Sequence, residues 1–324
     1  MDRLVVLALL LSLVVPLSPA EAQQAQRVYR VGVLNFGSSI PNPLSSPLNN
    51  TLVGRLGDLG FKEGGNLVLE RRWADGRFDR VQPLTVELVQ AKADVIVTIG
   101  NKLIELVLAA NPRVPMVSLS CDAHAMVASY AKPNGNFTGA TCMSTELSPK
   151  RLELVKQVAP AAKRVVYLHN PNQGAIGLEL TQKAAPQLGL AVRAVEMRSS
   201  DDMEKAFAAI TAERPDALLV YPDAITFRHR KEIADFALAQ RLPAVYAYKE
   251  YAEAGGLVSY GSTLVELGER TGELVARILR GAKPSELPIE QTTRIYLTVN
   301  MKSARAMGHT IPSQLLLRAD RVIE

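Results

Sequence analysis

Residues 94–119 read DVIVTIGNKLIELVLAANPRVPMVSL, and this stretch decides the fold. Val95, Ile96, Val97 and Ile99 make a short, nearly unbroken apolar run, the pattern of a strand covered on both faces. Residues 101–110 then read as a helix capped by Asn101, and residues 114–119 as a second buried strand. A strand, a helix and a strand in such close succession predict a parallel crossover, the unit from which open α/β sheets are built.

The same alternation continues on both sides. Upstream, residues 30–35 form a β-type run, and Leu48, Leu52, Leu56 and Leu59 follow at helical spacing up to Gly60. A strand is expected at 67–73 and a helix at 78–90, with Val81, Leu84 and Leu88 on one stripe. Downstream, residues 137–141 make another strand. Ser148-Pro149 reads as an N-cap with proline at the first helical position. The pattern then restarts, with strands expected at 164–168, 191–197, 217–221, 244–246 and 257–260. Helices at 174–188, 202–213 and 227–240 separate them, and a helix at 264–280 and a strand at 294–299 close the chain.

Two such runs predict an α/β protein of two doubly wound parallel-sheet lobes, with an eight-fold barrel as the competing arrangement. The expected division gives residues 28–142 plus 262–284 to lobe 1 and residues 143–261 plus 285–324 to lobe 2. The tail is where the chain is expected to cross back between them.

The N-terminus carries an address. Residues 4–15 are almost continuous hydrocarbon, broken by Pro16, and Ala20-Glu21-Ala22 offers the small-x-small pattern of a cleavage site. The run is too short for a membrane span and predicts a signal peptide over residues 1–22, hence a periplasmic mature protein. A retained anchor is the competing reading, because Asp2 weakens the basic start. The chain's formal net charge of +5 comes from scattered residues rather than a dense basic run. That distribution argues against a nucleic-acid partner. No G-x-S-x-G elbow, H-E-x-x-H, dinucleotide fingerprint or P-loop is present, so the sequence offers no recognised catalytic motif and calls for no cofactor.

Ligands of open parallel sheets sit beyond the carboxyl ends of the strands. Those ends are small and polar here: Asn35 to Ser39, Thr98 to Asn101, Ser118 to Asp122, Thr141 to Thr145, and in the second run His169 to Asn172, Tyr221 to Asp223 and Tyr246 to Tyr248. Free amides at helix starts suit a carboxylate, aspartates suit an ammonium, and tyrosine rings suit stacking. The same residue types also serve ordinary turns and caps. The candidates chosen from lobe 1 are Gly37, Ser38, Ser39, Gly100, Asn101, Lys102 and Asp122, and from lobe 2 Thr145, Asn170, Tyr221, Asp223 and Tyr248. Cys121 and Cys142 end consecutive strands. In an oxidising space they are open to pairing, to remaining free thiols, or to joining Asp122 and His124 in a metal site.

Several blocks carry a family resemblance: FKEGGNL at 61–67 with ERRWADG at 70–76, ADVIVT at 93–98, VASYAKPNGNFTG at 127–139, KRLEL at 150–154 and GHTIP at 308–312. Together they resemble the ABC-transporter substrate-binding proteins of the tryptophan/tyrosine-binding type, over essentially the whole mature chain. The resemblance implies a type I periplasmic-binding fold, a hinge of three crossings, a cleft that closes on a small ligand, and delivery to an ABC permease. It implies capture of a small polar or zwitterionic ligand, amino-acid or organic-acid like, by a monomer. Asn101-Lys102 stands where similar proteins often have Thr-Pro, and Cys121 to His124 where they have a Gly-Asp-Pro type of turn. Ligand identity is therefore not carried over. A sensory domain or a cleft enzyme of the same fold is the alternative function.

Overall fold

Residue burial along the strands sets the architecture. In β1 (Tyr29–Asn35), Val31 and Val33 pack with Val95, Val97 and Val117 against one layer of helices, while Leu34, Ile96 and Met116 pack against the other. Side chains alternate across a strand, so a run that is apolar at every position must be covered on both sides. The computed structural model describes residues 27–37, 45–121, 127, 129–133 and 135–324. The expected signal peptide, residues 1–22, lies outside them.

The first sheet contains β1, β2 (Leu67–Trp73), β3 (Val95–Ile99), β4 (Met116–Ser120), β5 (Phe137–Thr141) and β11 (Glu290–Gln291) in the order β11-β5-β4-β3-β1-β2. Helices α1 (Ser45–Asp58) and α10 (Leu264–Leu279) cover one face; α2 (Val81–Gln90) and α3 (Asn101–Ala110) cover the other. The second sheet runs β13-β12-β10-β9-β8-β6-β7. Its strands are β6 (Arg164–His169), β7 (Ala191–Glu196), β8 (Ala217–Val220), β9 (Ala244–Tyr246), β10 (Val258–Gly261), β12 (Tyr296–Asn300) and β13 (Arg321–Ile323). Both sheets are parallel apart from the β10–β12 pair. Both share one winding: the first strand is flanked by the second and third, so strand order reverses beside it. That reversal opens a crevice at the carboxyl edge of each sheet.

The chain passes between the sheets three times: from β5 into α4 (Ser144–Val158), from β10 into α10, and from β11 into β12. The last passage differs from the expected boundary at 284. Residues past that point stay with lobe 1: Thr138 Oγ1 donates to Leu287 O at 3.0 Å, Ile289 N to Tyr130 O at 2.8 Å, and β11 pairs with β5. The added strand closes the edge of the first sheet, and the crossing follows Gln291.

Local differences have local causes. Helix α4 begins at Ser144 instead of at Ser148-Pro149, because Met143 adopts a left-handed conformation (φ 53°) that turns the chain straight out of β5. Pro149 lies inside the helix, where it contributes no N–H. The helix expected at 227–240 is two, α7 (Ala224–Arg228) and α8 (Arg230–Ala239), meeting at His229. Asn101 is the first helical residue of α3 and not its cap. The cap is Gly100, whose φ of 97° is open to glycine at little cost.

Candidate functional site

The crevices of the two lobes face each other and enclose a cavity of about 720 Å³, counting the part open to solvent. Lobe 1 contributes Asn35, Phe36 and Gly37 at the end of β1, Leu48 from α1, Ile99 and Gly100 at the end of β3, and Leu119 and Cys121 at the end of β4. Lobe 2 contributes Gln173, the Pro222-Asp223-Ala224 turn at the start of α7, and Tyr248; Leu264 enters from the first turn of α10. The wall is mostly apolar. Among its described residues there is no lysine, arginine or histidine.

Asp223 supplies the one formal charge on that described wall. It caps α7: Oδ1 accepts from Thr226 N at 2.7 Å and from Thr226 Oγ1 at 2.8 Å, while its own N–H donates to Thr226 Oγ1 at 3.0 Å. The second oxygen, Oδ2, is buried and has no hydrogen-bond partner. Burial raises the carboxyl above its ordinary range, and the Thr226 bonds, the nearby Asn170 amide and Ile225 N–H oppose that rise without cancelling it. A carboxylate so placed gains from a cation brought to its free oxygen.

Around Cys121 the lobes touch. Cys121 and Cys142 are joined as a disulfide, which ties the end of β4 to the crossing into α4. The Cys121 carbonyl accepts from the Tyr221 hydroxyl at 3.2 Å and from Thr145 Oγ1 at 3.3 Å. The Tyr248 hydroxyl lies 3.0 Å from Cys121 Sγ and is the donor, since a disulfide sulfur carries no hydrogen. Gly100 of lobe 1 faces Gln173 of lobe 2: a Cβ built on Gly100 would stand 2.8 Å from the Gln173 amide nitrogen. These contacts span the cleft, so the lobes are drawn together.

Beneath the cleft lies Arg151. Its side chain is fully buried; Nε donates to Tyr260 O at 2.7 Å, Nη1 to Ser144 O at 3.0 Å and Nη2 to Ser144 Oγ at 3.2 Å. Burial lowers its pKa, and the electrostatic influence of Tyr167, Tyr221, Tyr248 and Tyr251 opposes that fall.

Of the residues expected from sequence, Gly37, Gly100, Asp223 and Tyr248 line the cavity. Ser38, Ser39 and Asp122 lie outside the described residues. The remaining five stand behind the described wall. Asn101 is buried against Ser120, and Lys102 turns out to Glu105 at 2.8 Å. Thr145 and Tyr221 support Cys121, and Asn170 Oδ1 accepts from Asn172 N at 3.0 Å. In each case a local partner takes the polar group. Asn35 and Phe36 belong to the strand end read from the sequence but not to the candidates chosen from it, although they adjoin Gly37. Leu48 and Leu264 carried no signal, because each is an ordinary helix residue until the other lobe arrives.

Among the described residues, no group of three or more His, Cys, Asp or Glu side chains is placed to hold a metal ion, and no helix is long and apolar enough to cross a membrane.

Comparison with known proteins places this geometry. Residues 48–323 match the family described as ABC transporter substrate binding protein. A tyrosine-binding protein of Clostridioides difficile is 22% identical over 281 residues, covering 84% of this chain and 80% of its own length. A conserved domain protein of Vibrio cholerae superposes with a TM-score of 0.84 at 25% identity, covering 91% of this chain and 100% of its own. An ABC domain of Streptococcus pneumoniae in complex with L-Trp gives 0.83 at 23% identity, with the same 91% and 100% coverage. The fold is that of type I periplasmic binding proteins. With two wound lobes, three crossings and an apolar cavity between them, this chain belongs to the ABC transporter substrate-binding proteins.

Proposed function

We propose that the protein is the extracytoplasmic binding component of an ABC uptake system and captures an α-amino acid with a large apolar side chain. The observation that carries this reading is the unpartnered Asp223 Oδ2, buried in a mostly apolar wall that includes Phe36, Leu48, Ile99, Leu119, Pro222, Tyr248 and Leu264. A primary ammonium satisfies that oxygen, and an aromatic or branched side chain fills the apolar space. The tyrosine-binding relative and the L-Trp complex support an aromatic amino acid. Ligand contacts made to both lobes at once favour the closed state by differential affinity. Delivery to a membrane permease and export through the N-terminal segment belong to the same reading.

Isothermal titration on protein freed of carried-over ligand tests it. L-Tryptophan, L-tyrosine, L-phenylalanine and L-leucine are compared with benzoate and glucose. At least one amino acid should bind with a dissociation constant of ~10 μM or below, that is about −7 kcal/mol, and benzoate and glucose far more weakly. Tight binding of benzoate or glucose, with none of the amino acids bound, refutes the proposal.

A further inference from the structure

A second buried polar atom in the cavity is as unsatisfied as Asp223 Oδ2, and its sense is opposite. Asn35, the last residue of β1, is 6% exposed, and its side-chain Nδ2 is buried without a hydrogen-bond partner. Asp223 is 7% exposed and stands in the other lobe. One atom is a donor that lacks an acceptor; the other is an acceptor that lacks a donor. Both line one cavity. Leaving a polar group buried and unpaired is costly, so each is expected to be met by whatever occupies the space between them.

Resting on the amino-acid reading, we infer that Asn35 is the lobe 1 specificity determinant, its Nδ2 donating to a carboxylate oxygen of the ligand while Asp223 takes the ammonium. The described wall carries no cationic side chain, so a ligand carboxylate buried against it is held by neutral donors. Asn35 is a neutral donor with an N–H to spare. The ligand then bridges the end of β1 and the start of α7, one contact in each lobe. An amine without a carboxylate engages lobe 2 alone and does not repay the burial of Asn35. The site therefore selects amino acids over the corresponding amines.

The test is a cycle of two ligands and two proteins. Dissociation constants of L-tryptophan, and of tryptamine by displacement of L-tryptophan, are measured for the unaltered chain and for Asn35→Leu, which removes the amide and keeps the forked outline of the side chain. The variant should lose about tenfold to a hundredfold in L-tryptophan affinity, as for a hydrogen bond to a charged group, and at most about twofold for tryptamine. Its ligand-free melting temperature should not fall, since an unpartnered buried amide has been removed; this checks that it folds. Equal losses for both compounds, or an unchanged L-tryptophan affinity, overturn the inference. Failure of the unaltered protein to bind L-tryptophan is a different outcome, seen before any variant is made. It overturns the parent reading and this inference with it.

Discussion

On the proposed reading Asp223 performs two tasks with its two oxygens, and substitutions separate them. Oδ1 holds the first turn of α7 through Thr226 N at 2.7 Å and Thr226 Oγ1 at 2.8 Å; Oδ2 is buried and unpaired. In Asp223→Asn the amide oxygen takes over both Thr226 bonds, so the cap survives. In Asp223→Ala the cap is lost, at ~0.5–2 kcal/mol of stability. The charge also has a sign to follow. The folded, empty protein holds the Asp223 proton more tightly than the unfolded chain does, because burial raises its pKa above 3.8. As pH rises from 3.8 through the folded-state pKa, the unfolded chain gives up this proton first, and the folded state loses stability relative to it. Above that window the penalty is complete. Asp223→Asn removes it, so the empty variant should be at least as stable as the parent at pH 7 and gain nothing below pH 3.8. Binding moves the other way. Truncating one partner of a buried charge pair costs ~2–5 kcal/mol, or roughly thirtyfold to several thousandfold in affinity. Urea unfolding of the ligand-free proteins and calorimetric titration with L-tryptophan read the two effects separately. An Asn variant that binds within threefold of the parent would refute the ammonium assignment. One that loses ~2 kcal/mol of stability would refute the division of labour between the oxygens.

Other consequences follow from the same geometry. Affinity for a cationic amine should fall as pH drops through the raised pKa of Asp223, approaching tenfold per pH unit. A titration series showing no such decline in acid removes the carboxylate from the site. Arg151→Lys keeps a charge in the interior yet loses the fork that reaches both Ser144 and Tyr260, and should cost ~2–4 kcal/mol. Arg151→Met sheds the charge and should cost less; chemical denaturation with the opposite ranking contradicts this account. Gly100→Ala meets a φ of 97° and the Gln173 amide, and should cost ~1–2 kcal/mol of stability together with a weaker ligand complex. An unchanged melting temperature for that variant shows the turn to be relaxed. Reduction of the disulfide between residues 21 apart in sequence should remove about 3 kcal/mol of stability, measured by denaturation with and without reductant.

The repeat of apolar runs and amphipathic stretches determines the class of fold without help from tertiary contacts. Strands such as β3 are apolar at four of five positions and admit no exposed face, so helices must flank the sheet on both sides. The strand ends with their Gly, Asn and Asp residues likewise mark the edge on which the cavity opens. Glycine at 100 and aspartate at 223 carry their own physical reasons, a positive φ and a helix cap, and both line the cavity.

What the sequence leaves open is which polar groups are already taken. Asn101, Thr145, Asn170 and Tyr221 are the same residue types as the groups that line the wall, yet each is engaged by a neighbour near or far in sequence: Ser120, Cys121 or Asn172. Asn35 looks no different from Asn170 in the chain, and only the packed structure leaves its amide without a partner. The apolar wall depends on tertiary structure for the same reason. Leu48 and Leu264 come to line the cavity only when α1 and the start of α10 are brought to the mouth of two crevices that local pattern cannot align. Periodicity is a property of neighbours along the chain, whereas an unsatisfied donor is a property of everything that folds around it.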